Sequence, residues 1–131
     1  MASIVIGGAG PDGIPIIKGQ ISINATFQQY IPIVDEDGAR VSLTTYDFEL
    51  TFRELAGDDT VVLRLTTVGS DGITKTTDVD GDILLVSAAP ADMANLDGAY
   101  RCSFTSKDGS DVISILAAGA VVFLDQPASF A

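Results

Sequence analysis

Asp78, Asp80 and Asp82 stand at alternate positions, the spacing with which a calcium loop begins, and carboxylate oxygens suit a hard cation. An EF-hand also needs a glutamate at the twelfth loop position, and Ala89 stands there instead. The other reading makes these residues solvated turn carboxylates, and it applies equally to Asp35, Glu36 and Asp37. Spacing alone does not define a carboxylate pair for glycoside hydrolysis, since the folded separation decides. Histidine is absent, which removes the commonest general base and metal ligand and every Ser-His or Cys-His pair. Tryptophan is absent too, so the strongest platform for sugar stacking is missing. Gly7-Gly8-Ala9-Gly10 is glycine-rich, but no basic residue or following helix makes it a phosphate loop. Cys102 is the only cysteine, so no internal disulfide forms; between Tyr100 and Phe104 at strand spacing it reads as a small core hydrophobe. Asn24-Ala25-Thr26 fits a glycosylation sequon, but Met1 to Ile6 has no positive n-region and glycines break any apolar run after it. The expectation is therefore a non-enzyme with no catalytic residues, no metal ligands and no cofactor.

The elements that would carry such residues are short. The chain has 131 residues, 47% of them hydrophobic, and a mean hydropathy of +0.35, which predicts one folded domain rather than disorder. Its apolar runs fall well short of the roughly 20 residues of a membrane helix. Net charge is −11 and the seven basic residues are scattered singly, so duplex DNA would repel this surface. Neither nucleic acid nor membrane is expected as a partner. Asp-Gly occurs six times, and five of these dipeptides lie beside short β-branched or aromatic runs. Glycine accepts positive φ and aspartate bonds its own backbone, so such dipeptides signal hairpins.

Along the chain, Ile21, Ile23, Ala25 and Phe27 alternate with polar residues, predicting a strand, with a bulge at Gln28-Gln29 and an edge position for Pro32. Tyr46 to Arg53 alternates most cleanly, and Val61 to Leu65 follows it. Short strands come at Ile73 and at Ile83 to Val86, and Pro90 to Leu96 is the one helical candidate. Tyr100 to Phe104, Val112 to Leu116 and Val121 to Leu124 complete the core, with a kink expected at Gly119. Seven to nine strands, roughly a dozen residues apart and without a βαβ rhythm, predict an all-β fold: an immunoglobulin-like antiparallel β-sandwich with one short helix. Residues 1–20 differ from the rest. Ile4, Ile6, Ile14, Ile16 and Ile17 are apolar beside glycines and prolines, and two readings compete. They form either an edge strand of the same domain or an extended N-terminal arm that packs on a neighbour, leaving residues 21–131 as the sandwich.

The stretch from Gln20 to Asp125 resembles the small N-terminal β-sandwich domains of phage baseplate upper proteins and related tail-fibre proteins. The likeness is carried by Phe27 through Asp37-Gly38, by Leu43-Thr44-Thr45-Tyr46 leading into Phe52, and by Asp80-Gly81-Asp82-Ile83. Ser87 through Leu96, the Gly98-Ala99-Tyr100 strand and the Gly119-Ala120-Val121 hairpin complete it. The resemblance implies a non-enzymatic virion structural protein of a tailed phage, made in the host cytoplasm. It would act by docking to copies of itself and to other virion proteins on the tail, baseplate or fibre. Capsid decoration is the alternative, and a carbohydrate- or calcium-binding module the second alternative.

Overall fold

Alternation in this chain repeats on both sides of tight turns, so each strand buries one face, and two sheets close over the buried faces. The computed structural model describes residues 4–6, 20–55 and 60–124. Along them run β1 (Val5–Ile6), β2 (Gln20–Ser22), β3 (Phe27–Val34), β4 (Asp47–Glu54), β5 (Val61–Thr66), β6 (Ile73–Asp78), β7 (Gly81–Ala88), α1 (Pro90–Met93), β8 (Gly98–Lys107) and β9 (Ile113–Leu124). One sheet has the order β1-β3-β7-β6 and the other β2-β9-β8-β4-β5. In order across the sheets, β1, β3, β7 and β6 take the A, B, E and D places of an immunoglobulin sandwich, and β9, β8 and β4 the G, F and C places. Among the described residues every ladder is antiparallel except β2 on β9, which is parallel from Gln20↔Val122 to Ser22↔Leu124.

Phe48, Leu50 and Phe52 of β4 and Phe104 of β8 point inward and meet Ile31, Ile33, Leu84 and Val86 of the other sheet. Phe48 stacks on Phe104 at 5.8 Å, and Phe123 of β9 makes edge-to-face contacts with Phe52 and Tyr100 at 5.3 and 5.6 Å. Each such side chain contributes about 1.5–3 kcal/mol by leaving water. Tyr100 lies two residues before Cys102, and its hydroxyl accepts the Asp97 N–H at 3.2 Å, the tyrosine corner of such sandwiches. The corner is here without a disulfide, because Cys102 is a lone buried thiol. At the helix, the Asp92 carboxylate accepts the Ala89 N–H at 3.2 Å and Met93 plugs the core.

Four expectations are corrected. The stretch Ile21 to Phe27 is not one strand: the chain turns at Ile23–Ala25 because it crosses there from the five-stranded sheet to the four-stranded one. No bulge occurs at Gln28-Gln29, since the β3–β7 register runs unbroken from Phe27↔Ala88 to Pro32↔Ile83. Pro32 pairs with Ile83 of β7, while the β1 ladder on the other side reaches only Ile33 and Val34 among the described residues. The last two predicted strands are one, β9, and its irregularity falls at Leu116, while Gly119 pairs regularly with Cys102. Finally, the arm reading fails at its start. Val5 and Ile6 pair antiparallel with Val34 and Ile33, and Ile6 is buried in the core with Ile4 packed against it, so the sandwich begins before residue 21.

Candidate docking surface

An inserted residue in β9 builds a group of neighbouring exposed apolar side chains. Tyr100, Cys102 and Phe104 of β8 face inward opposite Val121, Gly119 and Ala117. The next pair is Thr105↔Ile115, which leaves Leu116 without a partner. One extra residue reverses the alternation beyond it. Ile113 and Ile115 therefore share the outer face with Lys107 and Thr105, 67% and 73% exposed, rather than lining the interior with Val121 and Phe123. Val112 and Val68 beside them are also more than half exposed. Val68 and Ile113 flank a shallow concavity of about 150 Å³, lined also by Phe48 and Ser106.

The same strand offers an edge. β2 pairs with β9 only at Val122 to Leu124, and among the described residues Ile113 to Val121 has no ladder partner on that side. Edges are usually blunted by lysine, proline or an inward charge. The segment Ile113-Ser-Ile-Leu-Ala-Ala-Gly-Ala-Val121 contains none of these. Around it the charges are mixed. By strand alternation Arg53, Arg64, Arg101 and Lys107, four of the seven basic residues, fall on the outer face of this sheet. Arg64 meets Glu49 at 3.5 Å and Lys107 meets Asp111 at 3.6 Å, while Asp47 stands opposite Lys107 in the register.

The residues singled out from the sequence are differently placed. Ile4 and Ile6 belong to the sandwich itself, which corrects their assignment to an interface; Ile14, Ile16 and Ile17 lie outside the described residues. Gly7 to Gly10 also lie outside them. Asp78 and Asp82 do converge, but on protein groups. Arg40 donates from its two terminal nitrogens to the two Asp78 oxygens at 2.9 and 3.0 Å and also reaches the Asp82 carbonyl at 3.1 Å. The guanidinium holds the Asp78 carboxyl below the usual carboxylate range. The Asp82 side chain accepts the Leu43 N–H at 2.9 Å. Asp35 closes its own turn by accepting from Asp37 and Ala39. Burial pushes the Cys102 thiol up to about 11, which keeps it protonated and unreactive at neutral pH. Among the described residues no group of three acidic, cysteine or histidine side chains is placed to hold a metal ion. Sequence reading missed the outward turn of Ile113 and Ile115, and the only trace of it is the consecutive Ile115-Leu116 pair within an alternating run.

The architecture defines the class: an immunoglobulin-like β-sandwich. No family model matches the chain, and no curated protein does. Among solved structures it is similar to CopC from Methylosinus trichosporium, with 12% identity over 92% of this chain and 93% of that one, at a TM-score of 0.46. It is also similar to an SrpA adhesin variant from Streptococcus sanguinis, at 11% identity and a TM-score of 0.46, covering 95% of this chain and 58% of that one. A third likeness is to AggA, the major subunit of aggregative adherence fimbriae type I from Escherichia coli, at 8% identity over 95% of each chain and a TM-score of 0.41. Function does not travel with the fold at such distances.

Proposed function

We propose that this chain is a non-enzymatic structural subunit of a tailed-phage virion, seated on the tail, baseplate or fibre and acting by docking. The observation behind this reading is the uncharged β9 strand, with two isoleucines turned to solvent beside a ladder edge that is open among the described residues. An apolar strip of this kind is a contact surface rather than a ligand pocket. The resemblance of the Gln20–Asp125 stretch to baseplate upper-protein domains supplies the setting. Ile14, Ile16 and Ile17 remain candidate contacts to neighbouring subunits. Among the described residues no helix is long and apolar enough to cross a membrane. A calcium-dependent module has less behind it, because both Asp78 oxygens are committed to Arg40.

Purified phage particles provide the test, with the protein quantified by mass spectrometry and located by labelled electron microscopy. A few to a few dozen copies at the tail agree with the proposal. Hundreds of copies matching the shell lattice would transfer it to capsid decoration. Complete absence from particles would overturn both.

A further inference from the structure

We infer that this chain forms a two-fold dimer in which the outer face of the five-stranded sheet, at its Ile113–Ile115 end, packs on the same face of a second copy. The inference goes beyond the virion reading and stands without it. A two-fold interface brings a patch against itself, so the patch must be self-complementary. At net charge −11, most ways of bringing two copies together set acid against acid. The β9 strip avoids this, because Ile113 to Leu124 carries no charge at all. Its rim carries both signs: Lys107 is paired in register with Ile113 and stands near Asp47 and Asp111. A two-fold then brings each copy's lysine toward the other's acids. The centre of this strip carries no charge for a partner of different chemistry to read, and the concavity beside Ile113 is shallow.

The position of the strip is built rather than incidental. Were Leu116 paired with Thr105 instead of bulged out, the register would continue unshifted, Ile115 would fall opposite Ser106, and both isoleucines would point between the sheets. The bulge spends two large apolar side chains on solvent in a free monomer, and a second copy recovers that loss. The β9 edge, open from Ile113 to Val121 among the described residues, lies beside the strip, so the two β9 strands come close to one another across the axis.

Sedimentation equilibrium and light scattering on the full chain, over a range of concentration and salt, test this. The expected result is a dimer that tightens as salt is added, because the centre is apolar and the net charges repel. Ile115→Glu should weaken the dimer by more than about tenfold while leaving circular dichroism and the melting midpoint unchanged. Tyr30→Glu, at a 60% exposed position on the other sheet, should leave the dimer intact. Should Ile115→Glu fold poorly, Ile115→Cys in a Cys102→Ser background should form a disulfide between copies under oxidation. A wild-type chain that stays monomeric throughout overturns the inference, as does a dimer that survives Ile115→Glu or fails to cross-link through residue 115. Neither result touches the location of the protein in a particle, which is measured separately.

Discussion

Gly72 holds φ at +94°, and a Cβ there would lie 2.5 Å from Leu65 Cδ2 and 2.9 Å from Leu65 Cβ. Gly38 has a similar φ of +83°, but open space around the same position. Both follow an aspartate, and from sequence the two dipeptides read alike. The structure separates them, because the chain folds back after β5 so that Gly72 bridges Thr66 beside Leu65, which the dipeptide itself does not reveal. Gly72→Ala should cost about 3 kcal/mol by combining backbone strain with overpacking, and Gly38→Ala about 1 kcal/mol. Urea unfolding of the two variants checks this, and equal losses would refute the role given to Leu65. The Asp-Gly rule fails in detail at Asp108-Gly109, where Asp111 takes the left-handed conformation at φ +62°. The carboxylates at 78 and 82 were visible as a cluster. Their partner Arg40 was not, because it lies 38 residues from Asp78 in the chain.

β4, β5 and β8 were legible because each alternates, and β7 because its short apolar run Ile83 to Val86 is bounded by turn residues. Three features of the other strands were not. β2 and β3 form one alternating run in sequence, and only the crossing between sheets divides them. In β9 the stretch from Ile115 to Leu124 is apolar or glycine at odd and even positions alike, so the pattern by itself gives no sign that an inserted residue turns Ile113 and Ile115 outward. β1 is two residues long, too short for any periodicity, and it is fixed by tertiary contact. Ile6→Ala therefore offers a clear test at this scale. A buried strand isoleucine should lose about 2–4 kcal/mol on truncation, whereas an isoleucine on a detached arm would lose nothing measurable. Thermal or chemical unfolding reports the difference.

Across the whole molecule, acid collects at loop ends. Asp35, Glu36 and Asp37 follow β3, and Asp78 and Asp80 lie at the β6–β7 turn at the same end of that sheet. Such a surface repels itself, and the folded state concentrates the repulsion. Raising salt from about 0.01 M to 0.15 M shortens the screening length from about 30 Å to 8 Å, so the melting midpoint should rise by a few degrees. A midpoint that falls instead would mean that ion pairs such as Arg40–Asp78 outweigh the net repulsion. The fold class was readable from turns and strand spacing, but the surface that could bring copies together was not, because it depends on one unpaired residue.

The parallel pairing of β2 with β9 has a mechanical side. Residue 20 enters that ladder at the level where residue 122 sits, and both strands then run the same way to Ser22 and Leu124. Tension drawing the chain backwards from Gln20 and forwards from Leu124 would slide the two strands lengthwise. Their hydrogen bonds would then share the pull instead of opening in succession like a zip.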